Sequence, residues 1–268
     1  MDVIFLIYGL SFLVLGLSIF AQRRKESHFN LVGFIWLLAV FGIIHGFLEW
    51  MDLWTRVNGE NPPLNTAMPF VLLVSYLFLF EFGRRIVRDS LPATVRSSAA
   101  RWLLDFRIHI FLSGGIMVGA TLSDHFLPAL VIWSRYLLGF PGSTLAGAGF
   151  LLYYRFRILP TLTQRESLQI QYASYIAAFA FIAYGIFGGL VVPRAPWFPA
   201  NWLNQESFLE VLGIPVQVFR AACAVLMAIS VTHILLELSI HDLTRQSTAG
   251  GNEKGSQAEN IQYKGKSG

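Results

Sequence analysis

The stretch His45-Gly46-Phe47-Leu48-Glu49-Trp50-Met51-Asp52 closes a run of otherwise apolar residues that begins at Leu31. On a helix, His45, Glu49 and Asp52 follow i, i+4, i+7 spacing and share one face, while the other faces stay apolar. A run of this length is a membrane span, and a lipid-exposed carboxylate inside a bilayer is costly. His45 and Glu49 should therefore face the protein interior or a wet cavity. Asp52 should reach water at the helix end. The plain structural alternative is a His–Glu hydrogen bond that joins two helices.

The rest of the chain agrees with a membrane protein. Of 268 residues, 54% are hydrophobic and 13% charged, too apolar for an ordinary soluble domain. The single cysteine, Cys223, excludes an intrachain disulfide and a multi-cysteine metal site, and its apolar setting makes it a packing residue. Met1-Asp2 carries no basic residue ahead of the first apolar run, whereas Arg23, Arg24 and Lys25 follow it. The first segment is thus expected to be retained as a span rather than cleaved, with its N-terminus outside.

Read in order, apolar segments occur near residues 3–20, 31–54, 68–87, 108–123, 141–154, 172–192 and 214–238. Residues 58–63 (Asn58-Gly59-Glu60-Asn61-Pro62-Pro63) read as an external loop. Arg88, Arg96, Arg101 and Arg107, interleaved with Trp102, Leu103, Leu104 and Phe106, suit a connector lying on anionic lipid and imply no nucleic-acid partner. Glu81, before Arg84 and Arg85, reads as an interfacial ion pair. Gly115 with Gly119, and Gly185 with Gly189, have the spacing of close helix contacts. The stretch 126–140 contains Pro128 and Arg135 and reads as an external re-entrant or interfacial helix.

This gives an all-α, seven-helix membrane bundle over residues 1–243, with a disordered cytoplasmic tail over 244–268, poor in residues that can be buried. Of the 20 Lys and Arg, 16 fall on the cytoplasmic side of this arrangement and 4 (Arg56, Arg135, Arg194, Arg220) on the other. The bias orients the bundle with the C-terminus in the cytoplasm of a bacterial inner membrane.

Several stretches together resemble the seven-helix membrane input module at the N-terminus of many bacterial sensor histidine kinases and diguanylate cyclases. They are Tyr8-Gly9 to Gly16, His45 to Asp52, Arg135 to Gly142, Asn201 to Phe208, and Gly213 to Arg220. The resemblance covers most of residues 1–240. It implies detection of a signal at or within the membrane and transmission through the last helix to a cytoplasmic partner. The chain departs from the pattern after His241, where no kinase, PAS or cyclase sequence follows.

The expected ligand set, gathered at the outer end, is His45, Glu49, Asp52, Arg135, Glu206 and Arg220, with protonated His45 bound to Glu49 near neutral pH. A second reading is a redox protein with b-type heme on paired histidines, His45 with His125 at one depth and His109 with His233 at the other. A third is a structural subunit of a membrane complex. Partners are the bilayer together with a cytoplasmic signalling protein, other membrane subunits or a second copy of the chain. No Ser-His-Asp order, Gly-rich phosphate loop or His-Glu-x-x-His sequence marks an enzyme.

Overall fold

A computed structural model describes residues 2–22, 30–92, 98–161 and 164–264, with side chains over 2–22, 30–92, 101–161 and 168–241. The described residues are 85% helical, and no strand occurs among them. The helices are α1 (Asp2–Ala21), α2 (Leu31–Asn58, with a turn at Ile35), α3 (Pro62–Ser90), α4 (Ser98–Leu103) and α5 (Ile108–Thr121). Next come α6 (Phe126–Ser134, continuing as Arg135–Gly139, Phe140–Tyr153 and Tyr154–Ile158) and α7 (Gln164–Tyr184, continuing as Gly185–Leu190). The last two are α8 (Gln205–Leu212) and α9 (Val216–Lys264). Five stretches are long and apolar enough to cross a membrane: Asp2–Ala21, Leu31–Asn58, Pro62–Ser90, Leu168–Leu190 and Val216–His241. This is a multi-pass membrane protein.

Helix α1 shows why. Phe5, Tyr8, Phe12, Leu15 and Ile19 are buried, yet Val3, Ile7, Leu10, Val14 and Leu17 on the opposite face are 44–67% exposed. A helix apolar on both faces suits a hydrocarbon surround rather than water. The glycines set the close approaches. A Cβ on Gly42 would lie 2.7 Å from the Phe12 carbonyl oxygen, and one on Gly46 would lie 2.7 Å from that of Gly9, so α1 and α2 touch backbone to backbone.

The direction of each helix follows from its partners. Gly9 meets Gly46 and Trp50 while Gly16 meets Ala39 and Ile43, so α1 and α2 are antiparallel. Gly119 meets Trp133 and Gly115 meets Leu137, which makes α5 and α6 antiparallel. Gly139 meets Tyr76 and Gly149 meets Ile86, so α3 and α6 are parallel. Gly189 packs on Phe140 and Gly147 on Ala178, opposing α7 to α6. One end of the bundle is fastened by polar contacts. There Asn30 Nδ2 donates to Asp89 Oδ1 (3.2 Å), Arg157 Nε to the Asp89 carbonyl (2.9 Å), and the Leu31 N–H to the Tyr153 hydroxyl (3.1 Å).

Three boundaries differ from the sequence expectation, each for a local reason. Residues 126–140 are no re-entrant piece: they are the first part of α6, continuous with the segment expected from Pro141 onward. Pro128 stands in the first turn, where backbone N–H groups have no helical partner anyway. Helix α3 starts at Pro62, not near Met68, because prolines are favoured in a first turn and the Asn61 side chain caps it by accepting from the Leu64 N–H at 3.3 Å. The loop after α7 contains α8, which begins with a capping box at Asn204 and Ser207 and ends at Gly213, whose φ of 67° is the left-handed conformation that suits glycine. The tail expected to be disordered, 244–268, lies beyond the last described side chain, although the α9 backbone is helical to Lys264.

Candidate functional site

His45 is completely buried, and both ring nitrogens are engaged. Nδ1 is 3.0 Å from the Ser75 hydroxyl on α3, and Nε2 is 2.7 Å from the Tyr184 hydroxyl on α7. The Tyr8 hydroxyl on α1 donates to that of Tyr184 (3.2 Å), and the Ser75 hydroxyl donates to the Leu72 carbonyl (2.8 Å). The polarity of the chain follows from these donors. Since Tyr184 accepts from Tyr8, its own proton goes to His45 Nε2; the ring proton on Nδ1 goes to Ser75, which passes on to Leu72. Four helices thus share one hydrogen-bond chain that is complete with a single proton on the imidazole. Phe12 and Phe41 enclose the ring, with centroids 4.8 and 5.1 Å away, and keep water out.

Glu49 Oε1 stands 3.5 Å from His45 Nε2. This is close enough for electrostatic contact and too long for a good hydrogen bond, because Tyr184 already occupies that nitrogen. The expected direct His45–Glu49 bond is therefore displaced by Tyr184. Arg135 and Arg220 are both buried and lie within electrostatic reach of Glu49.

The two arginines have an unexpected task. At the end of α7, Gly185–Leu190 is a π-helical turn in which the Val191 N–H returns to the Ile186 carbonyl (3.2 Å), leaving the Phe187, Gly188 and Val191 carbonyls without helical donors. Arg135 Nη1 donates to Gly188 (2.5 Å), while Arg220 donates through Nε to Phe187 (2.8 Å) and through Nη2 to Val191 (2.6 Å). The Tyr76 hydroxyl adds a longer bond to Gly188 (3.4 Å). Cations are favoured at the negative end of a helix dipole, so the carbonyl cluster and Glu49 together offset the two guanidinium charges.

Of the six residues expected to bind a ligand, the structure gathers His45, Glu49, Arg135 and Arg220. It leaves out Asp52, which pairs with Arg56 (3.2 Å) in a partly exposed position, and Glu206, which pairs with Arg194 (3.2 Å) on the surface. The sequence does not mark Ser75, Tyr76 and Tyr184 as site residues, and Tyr8 appears only within the stretch that opens the sensor resemblance. Their hydroxyls lie in apolar segments, where serine and tyrosine cost too little to stand out. The Tyr-Gly steps at Tyr8-Gly9 and Tyr184-Gly185 are the one signal that was present.

The histidine pairs do not fit a heme. His45 has no free nitrogen, His125 is exposed at the start of α6, and His233 is exposed on the outer face of α9 between Ile229 and Leu236. His109 lies beside Glu81 (3.3 Å) on α3, and the Glu81 carboxylate is bonded by Arg84 and Arg85 as the spacing suggests. Among the described residues, no group of three or more His, Cys, Asp or Glu converges as a metal site.

Fold and site together define a multi-pass helical membrane protein with a closed, polar centre. Comparison with known proteins gives no match: no family model, no curated sequence and no solved structure aligns with the chain.

Proposed function

We propose that the chain is a membrane-embedded sensor or ligand-binding module of a bacterial inner membrane, which relays a change at the His45 centre to a cytoplasmic protein or to other membrane subunits. In this reading α1, α2, α3, α5, α6, α7 and α9 make seven crossings, with the N-terminus outside. The alternate helix directions and the excess of Lys and Arg at one end support that orientation. The resemblance to sensor input modules supports the role.

One observation carries the proposal. Tyr184, which bonds His45, immediately precedes the π-helical turn whose carbonyls hold Arg220 of α9. Any event that moves the His45–Tyr184 bond acts on the turn, and the turn acts on the last helix. π-helical turns inside α-helices are common at functional sites, and a turn that can exchange carbonyl partners has two packings to choose between.

The test uses spin labels on cysteines introduced at Phe156 (α6) and Leu236 (α9), both exposed, in a Cys223→Ala background. Relative to the parent, His45→Gln and Tyr184→Phe are expected to shift the inter-label distance by about 1–2 Å or more, the size of a helix displacement. Superimposable distance distributions in the folded variants would remove the coupling, and the sensor reading with it.

A further inference from the structure

A second site lies away from the His45 centre, where α6 ends and α7 begins. A cavity of about 280 Å³ opens there, lined by Leu151, Tyr154, Arg155, Leu159, Gln171 and Tyr175. It is small beside the sites that hold drug-sized ligands, and four of its six lining residues are polar. The apolar stretch of α7 starts at Leu168, which puts Gln171 about 5 Å along it at 1.5 Å per residue. The Tyr175 side chain reaches back one turn to Gln171. Both polar groups therefore sit at the boundary between headgroups and hydrocarbon, where tyrosine is favoured.

The polar lining is made of donors. Arg155 and Arg157 share the π-helical turn Tyr154–Ile158, and residues two apart on a helix do not face the same way. Arg157 is taken up by Asp89, donating through Nε to its carbonyl (2.9 Å). Arg155 is exposed and, among the described residues, has no hydrogen bond or ion pair. Gln171 Nε2 donates to the Tyr175 hydroxyl (3.2 Å), which leaves the phenol's own proton to be donated elsewhere. No Asp or Glu lines the cavity. A guanidinium and a hydroxyl together call for an anion with several acceptor oxygens, and a phosphate diester supplies them. From the cavity, Tyr172, Tyr175, Ile176 and Phe179 continue along α7 as a face that is 45–66% exposed, an apolar track for acyl chains.

We propose that this cavity holds the phosphodiester headgroup of an anionic phospholipid, with Arg155 and the Tyr175 hydroxyl donating to its oxygens and the acyl chains lying on the exposed face of α7. A zwitterionic lipid brings the same phosphate with an ammonium that no carboxylate in the cavity receives. Free phosphate lacks the chains. The proposal does not depend on the sensor reading.

Native mass spectrometry of the full chain in detergent, titrated with dioleoylphosphatidylglycerol or dioleoylphosphatidylcholine, gives the affinity of the first bound lipid. Phosphatidylglycerol is expected to bind about fivefold tighter than phosphatidylcholine, the worth of one arginine beside an anionic headgroup, and to stay bound in millimolar inorganic phosphate. Arg155→Gln is expected to remove that preference, and Tyr175→Phe to weaken phosphatidylglycerol binding about two- to fivefold. Arg194→Gln, which removes the same charge from a surface pair beyond the other end of α7, is expected to leave binding unchanged. Equal affinity of the two lipids in the parent, displacement by phosphate, parental preference in Arg155→Gln, parental affinity in Tyr175→Phe, or an equal effect of Arg194→Gln would each overturn the proposal. If Arg155→Gln does not fold, Tyr175→Phe, which removes one hydroxyl from an exposed side chain, decides alone.

Discussion

Tyr184 makes two hydrogen bonds with one hydroxyl, to His45 and to Tyr8, whereas Tyr8 makes one. Tyr184→Phe leaves a buried imidazole nitrogen and a buried phenol without partners, and is expected to destabilise the protein by about 1–3 kcal/mol. Tyr8→Phe removes only the outermost link and should cost about 1 kcal/mol or less. Equilibrium unfolding in one detergent checks the order; a Tyr8→Phe effect equal to or larger than that of Tyr184→Phe contradicts the direction assigned to the chain. His45 and Glu49 could be read from the sequence because an ionisable group in an apolar run is costly wherever it points. The tyrosines could not, because a phenol is mostly hydrocarbon and its hydroxyl gives no sign until a partner from another helix is placed beside it.

At the scale of helices, contacts are decided by glycine and by unpaired backbone groups. Gly42→Ala drives a Cβ to 2.7 Å from the Phe12 carbonyl oxygen and should cost about 1–3 kcal/mol, since two backbones must part. Gly114, on the same kind of apolar helix, has nothing within 4 Å, and Gly114→Ala should be neutral or stabilising by up to about 1 kcal/mol. Thermal unfolding of the two variants side by side tests the distinction; equal melting temperatures would mean that the α1–α2 approach is looser than described. The spacing of Gly185 and Gly189 made their role visible in advance, and both meet α6. Arg135 was the opposite case. A charge within an apolar stretch of modest length reads as an external segment, but its partner is a carbonyl of α7, freed by a π-helical turn that nothing near Arg135 encodes.

For the whole molecule, the apolar outer face carries the membrane reading, and the long apolar helices behind it are legible in composition and order alone, whereas the sided distribution of basic residues belongs to the proposed orientation. The proposed orientation places Glu60 outside and Asp105 in the cytoplasm. Single cysteines at these positions, in a Cys223→Ala background, should react differently with a membrane-impermeant maleimide added to spheroplasts. Glu60→Cys is expected to label directly, and Asp105→Cys only after permeabilisation; the reverse pattern would invert the topology. What local sequence could not show is that Arg135 and Arg220, far apart in the chain, meet on one turn of a third helix. That convergence joins the His45 centre to α9.

In the proposed relay the His45–Tyr184 bond and the Arg220 clamp on α7 act as one unit, and a double-mutant cycle measures their coupling directly. Arg220→Lys keeps the charge but cannot reach both the Phe187 and Val191 carbonyls in the guanidinium geometry. Unfolding free energies of the parent, Tyr184→Phe, Arg220→Lys and the double variant, all in the same micelle, give the coupling energy. A coupling of at least about 0.5 kcal/mol is predicted for groups sharing one turn. Additivity within about 0.3 kcal/mol would show two independent anchors and contradict the relay.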